Sequence, residues 1–218
     1  MTLLELKRIV AAGENERIEF KRKAAHPDKI MKEVVAFANS IGGLLLIGID
    51  DNRTIPGLPN PDEEEFIIEN AIRKYCKPAI EYTIFRVKLS ERLEVSVFDI
   101  KAGKDKPYAV LINPTPQNDE YGKVYVRVAD HSIQASREVR DILKMQTKQR
   151  NFRFEYGDKE RLLMQYLAKE PFVTVDIFAS LANIPRKQAA RTLVLLTLSG
   201  VLKISPDETA DRFVLVEV

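Results

Sequence analysis

Residues 42–49 read Gly-Gly-Leu-Leu-Leu-Ile-Gly-Ile. An apolar run of this length directly behind two glycines has no polar face to offer to water. It predicts a strand, Leu44 to Ile49, covered on both sides. The residues before it fix what does part of the covering. Ile30, Val34 and Phe37, with Met31, Val35 and Ala38 beside them, recur at helical spacing between Asp28 and Ser40. They predict a helix with a buried stripe, capped at Asp28. Gly42 and Gly43 stop it, because glycine takes left-handed backbone angles at little cost. Upstream, Arg17 to Lys21 alternates, with Ile18 and Phe20 on one face and Glu19 and Lys21 on the other, as in a short strand.

The flanking pattern extends this into a mixed α/β domain. A first helix is expected around Leu3, Leu6, Ile9 and Val10, ending near Gly13, and another from about Asp62 to Tyr75 behind Pro59 and Pro61. Strands are expected at 80–88, 93–100 and 123–128, with a polar, proline-containing loop at about 113–122. A helix capped by Ser136 should run to about Lys148. The chain has 218 residues, enough for one domain of about 150 residues and a small second one. The boundaries expected are 1–150 and 151–218. The single cysteine, Cys76, excludes a disulfide framework and a Cys-rich zinc site. It fits a reducing compartment, and a cytoplasmic location is expected. No apolar run reaches the roughly 18 residues that a membrane helix needs, so no membrane partner is expected. The net charge of +2 is too small to speak for nucleic acid by itself, so its distribution matters more.

Four ordered motifs carry a resemblance. They are Glu14 with Glu19-Phe20-Lys21, Ala36-Phe37-Ala38-Asn39 with Gly42-Gly43, Ile47-Gly48-Ile49-Asp50-Asp51, and Tyr125-Val126-Arg127. Over roughly Gly13 to Leu143 the chain resembles the Schlafen AlbA-type domain family. The resemblance implies a nucleic-acid-binding domain of α+β class. Many prokaryotic relatives are labelled transcriptional regulators, often with a winged helix fused behind. Some animal Schlafens are metal-dependent ribonucleases. Carried over by position, their three-carboxylate site is Glu14, Glu19 and Asp51 here. Two departures touch the pattern: Asn15 follows the first Glu where Ser is common, and Val128-Ala129-Asp130-His131 stands where relatives often have a Gly-Ser turn.

Hard divalent ions such as Mg²⁺ or Mn²⁺ take oxygen ligands, and clustered carboxylates supply them. Bound there, the ion would activate water and offset charge on a phosphate. The alternative is that the three acids are ordinary, with Glu19 paired to Lys21 or Arg22 and Asp51 opening a turn. The cations form two groups. Lys21, Arg22, Lys23, Lys29 and Lys32 stand against Asp28 alone, with Arg127 added from the last motif. Arg137, Arg140, Lys144, Lys148, Arg150 and Arg153 stand against Glu138 and Asp141. Such clusters are the footprint of phosphate binding; a solvated helix face is the other reading, above all for the second group. The Gly42-Gly43 turn lacks the Lys-Ser/Thr of a P-loop.

From Asp158 onward the pattern changes. A helix carrying Leu162, Leu163 and Leu167 is followed by a short one capped by Thr174, a turn at Asn183-Ile184-Pro185, and a third helix from Arg186 to Ser199. Two strands, 201–205 and 212–216, close the chain. Three helices with a tight turn before the third, then a β-hairpin, is the winged helix-turn-helix order. Arg186, Lys187, Gln188 and Arg191 lie on the first turns of the third helix, where a recognition helix meets base edges. No acid occurs between Asn183 and Ser205. A winged helix used for protein contacts is the other reading. The whole is expected to be a DNA-binding protein, a transcriptional regulator acting as a homodimer with no cofactor. The alternative is an endonuclease, on RNA, that needs Mg²⁺ or Mn²⁺.

Overall fold

The computed structural model describes residues 1–112, 122–147 and 156–216. The loop expected at 113–122 and the cations Lys148, Arg150 and Arg153 fall almost wholly outside the described residues. The chain divides into two compact units, Met1–Gln134 and Ala135–Val218.

In the first unit, helix α1 (Leu3–Ala12) precedes strand β1 (Ile18–Lys21), helix α2 (Pro27–Asn39) and strand β2 (Gly43–Ile47). Helix α3 (Pro61–Tyr75) and strands β3 (Cys76–Lys77), β4 (Tyr82–Lys88), β5 (Glu94–Ile100), β6 (Ala109–Leu111), β7 (Gly122–Val128) and β8 (His131–Gln134) complete it. One sheet has the order β1-β2-β5-β4, with β1 and β2 parallel and the other pairs antiparallel. The other has the order β3-β6-β7-β8 and is antiparallel throughout.

The Leu44–Ile49 run behaves as its composition requires. Leu46 and Ile49 join Leu6 and Val10 of α1, with Phe20, Val95 and Val97, on one face of the sheet. Leu45 and Ile47 join Val34, Phe37 and Ile68 on the other. Nine of the thirteen residues of α2 are buried, more than a stripe would give. The reason is that α2 packs on the second sheet as well as the first: Tyr108, Val110 and Tyr125 belong to its apolar surroundings. Gly43 is forced by close approach, since a Cβ there would lie 2.4 Å from the Phe37 ring. Gly42 has φ +79°, the left-handed region where glycine is favoured. Helix α2 starts at Pro27 and not behind an Asp28 cap, with His26 in the capping position.

The second unit holds α4 (Arg137–Thr147), α5 (Asp158–Leu167), α6 (Val175–Leu181), α7 (Arg186–Leu198) and a hairpin of β9 (Leu202–Ser205) and β10 (Arg212–Leu215). Helix α4 was expected in the first domain but belongs here. It packs along α7, and the Ser136 hydroxyl that caps it also meets the buried carboxylate of Asp211. Helix α5 begins at Asp158, with Gly157 in the capping position. Thr174 caps α6 as expected. Leu163, Phe178, Leu193, Leu196 and Phe213 form the core. Val173 pairs with Phe213 as an extra bridge beside the hairpin. Asn183 turns the chain between α6 and α7 at φ 50°, a conformation that asparagine tolerates better than most residues.

Candidate functional site

The family motifs of the first unit converge on one buried ionic cluster. The β1 alternation turns Glu19 towards α2, and the register Glu19↔Leu45 places it beneath that helix. Only 6% of Glu19 is exposed. Its Oε2 lies 2.8 Å from Nη2 of Arg127 on β7, and its Oε1 meets the Lys21 ammonium. Arg127 Nη1 donates to Glu33 Oε2 of α2 at 2.8 Å and to the Ser132 hydroxyl at 3.2 Å, and that hydroxyl in turn bonds Glu33. Its Nη2 also donates to the carbonyls of Asn15 and Ile18, at 2.9 and 3.1 Å. The guanidinium lies 5.0 Å from the Phe37 ring centroid. Burial raises the Glu19 carboxyl above its ordinary value, and the nearby Glu33 charge pushes the same way against the opposing pull of Lys21 and Arg127.

Arg127 was expected to touch phosphate. It cannot, since its side chain is 1% exposed and its donors are engaged by the protein. It is a structural clamp joining β1, α2, β7 and β8. Asn39 is a second clamp. Its amide nitrogen donates to the carbonyls of Tyr108 and Tyr125, both at 2.8 Å, and its oxygen accepts the Tyr108 N–H at 2.7 Å. Ser40 accepts the Arg127 N–H at 3.0 Å. Glu33, Ser132, Asn39 and Ser40 were not singled out from the sequence as site residues. Glu33 carried a readable signal: it sits in the buried stripe between Ile30 and Phe37, and a buried acid needs a cation.

The three carboxylates expected to share a metal do not form a ligand set. Glu19 already faces two cations. Glu14 accepts the Phe20 N–H at 2.7 Å, and Asp51 is exposed in the turn after β2. Among the described residues, no group of three His, Cys, Asp or Glu is placed to hold a metal ion. A divalent cation does not fit a carboxylate that an ammonium and a guanidinium already neutralise.

The basic cluster of the first unit is thinner than its sequence. Lys21 is paired with Glu19, Arg22 with Asp50 at 2.5 Å, and Lys32 with Glu33 at 3.2 Å. Lys23 and Lys29 are exposed, with no charged partner among the described residues. The second unit keeps more of its charge available. On α7, Arg186, Lys187, Gln188 and Arg191 are all exposed, while Ala189, Thr192, Leu193 and Val194 turn inward. Arg186 reaches Asp176 at 2.9 Å and Glu138 at 3.5 Å. Lys187 and Arg191 have no acidic partner among the described residues. Among these residues, no helix is long and apolar enough to cross a membrane.

Two of the solved structures that resemble the chain show how distant the likeness is. The N-terminal domain of a RecG-related protein of Nitrosomonas europaea matches at 23% identity and a TM-score of 0.44, over 62% of this chain and 94% of that one. The DIP2311 protein of Corynebacterium diphtheriae matches at 20% identity and a TM-score of 0.40 over 62% of this chain, which spans only 30% of that one. Likenesses this distant speak to neither activity nor partner. None of the curated proteins compared with the chain matches it. The model of the family described as Schlafen, AlbA_2 matches residues 14–136. Those residues contain the Glu19–Arg127–Glu33 cluster and the Asn39 clamp, and they make up more than half of the chain: the protein belongs to the Schlafen AlbA_2 family.

Proposed function

We propose that the protein is a DNA-binding transcriptional regulator. In this reading the second unit is a winged helix-turn-helix that reads sequence through α7, and the family domain adds phosphate contacts through Lys23 and Lys29. The observation that carries it is the N-terminal half of α7. Four side chains able to meet phosphate or base edges lie together there, exposed, on a helix with no acid. Arg can bond two acceptors of guanine and Gln the paired groups of adenine, so Arg186 or Arg191 and Gln188 have the chemistry to discriminate. The reading includes a homodimer, because one such helix covers too little DNA for high specificity.

The test is duplex-DNA binding by fluorescence anisotropy across a salt series. Binding should weaken linearly in log–log form as salt rises. The Lys187→Ala and Arg191→Ala substitutions should each lower that slope by about 1. Salt-independent binding, or no change in the double variant, would remove α7 from the interface. A parallel denaturing gel with Mn²⁺ or EDTA covers duplex DNA and tRNA. Intact substrates are expected. Metal-dependent cleavage lost in Glu19→Gln would make the protein a nuclease instead.

A further inference from the structure

Helices α4 and α7 do not close completely against each other. Between them lies a cavity of about 610 Å³. That is within the roughly 300–1,000 Å³ of small-molecule sites. It lies wholly within the second unit. Its floor is apolar: Met145 from α4, and Ala190, Val194 and Leu195 from successive turns of α7. Its mouth is charged. Arg137, Lys187 and Arg191 line it with no acidic partner among the described residues, and Arg186 does so while paired with Glu138. Asp141 is the other acid on the wall among the described residues. Three cations without partners against one such acid leave an excess of positive charge over an apolar floor. Water is a poor occupant of that floor, since a buried water needs polar partners. An inorganic anion would leave the floor uncovered.

We propose that this groove is a binding site for a small amphipathic anion: a carboxylate or sulfonate head held by Arg137, Lys187 and Arg191, with an apolar tail along Ala190, Val194 and Met145. Two of the three head-group cations are also the side chains assigned to DNA above. Ligand and DNA therefore compete for one face of α7, and the ligand releases DNA. This competition rests on the proposed function; the binding does not.

The experiment uses the full chain without DNA. Dansyl-undecanoate fluorescence is titrated, and the probe is then displaced with laurate below its micelle concentration. Saturable binding at one site per chain is expected. Dodecanol, with the same tail and no charge, should displace at least about tenfold more weakly, the loss expected when hydrogen bonds to charged groups are removed. Arg137→Gln, at an exposed position outside the DNA set, should weaken laurate by about the same factor. Ala190→Trp, which fills the groove, should abolish displacement with the circular dichroism spectrum unchanged. If Ala190→Trp does not fold, Arg137→Gln and dodecanol decide the matter. Equal displacement by laurate and dodecanol, or unaltered laurate affinity in Arg137→Gln, overturns the site. A final arm adds laurate to the DNA complex. Release supports competition. A ternary complex rejects it while the site stands. Absence of DNA binding with laurate still bound rejects the DNA reading and leaves the site in place.

Discussion

Arg127 holds together segments far apart in the chain, and that sets what its loss must do. It joins Glu33, 94 positions away, to the Asn15 carbonyl, 112 positions away. Removing one partner from a buried pair leaves the others charged and unsatisfied, at about 3–5 kcal/mol. Arg127→Ala should lower the unfolding free energy of the first unit by that amount in urea titrations. Arg127→Lys should recover little, because one ammonium cannot reproduce the fork that meets two carboxylates and two carbonyls. Glu19 adds a pH dependence. Its carboxyl titrates above the ordinary value when folded, so just above that value the native chain keeps a proton that the unfolded chain releases. Its contribution to stability is therefore full at low pH and falls as pH rises through the folded value. Glu19→Gln should flatten that part of the stability–pH curve; an unchanged slope would assign it to other groups. The sequence displayed Arg127 inside a motif but not its role, because burial depends on which distant segments pack around it.

At the scale of elements, periodicity told the truth wherever a segment was long enough to show it. Helices α1, α2, α3 and α7 and strands β2, β4, β5 and β7 stand close to where their spacing placed them. The strands β3, β6 and β8 went unread: β3 and β6 have only two and three residues, β8 carries a single apolar residue, Ile133, and pairing across the sheet creates them. Helix α4 was legible as a helix but not as a neighbour of α7; its apolar face does not name its partner. The hairpin is joined to the helices by Phe213, fully buried and paired in backbone register with Val173. Phe213→Ala should cost about 3–5 kcal/mol of second-unit stability, measured by denaturation. In the proposed DNA-binding reading, Gln188→Ala on α7 should change which base pair is preferred, by about 1–3 kcal/mol at one position of the site, while leaving the salt slope unchanged. A binding-site selection comparing the two proteins would show it.

For the whole molecule, the motifs led to the right family, and the family match ends at residue 136, close to where the compact units divide. The site was legible only in part. Of the residues that looked like chemistry, Glu19 and Arg127 are clamps of the fold, Glu14 accepts a backbone N–H of β1, and Asp51 lies exposed in a turn. What remains accessible on α7 came from a simpler signal, exposed cations on a helix without acids. Cys76 lies in β3 of the first unit, 2% exposed, and burial pushes its thiol up to about 12. It should resist Ellman's reagent at pH 8 until that unit opens, whereas an unfolded chain should react at once. It is also the sole cysteine, and the chain has no tryptophan. An optical melt therefore reads both units together, each with its own transition. Thiol labelling does not blend them: its rate in native buffer is a stopwatch on the opening of Met1–Gln134 alone, built into the natural sequence and needing no engineered probe.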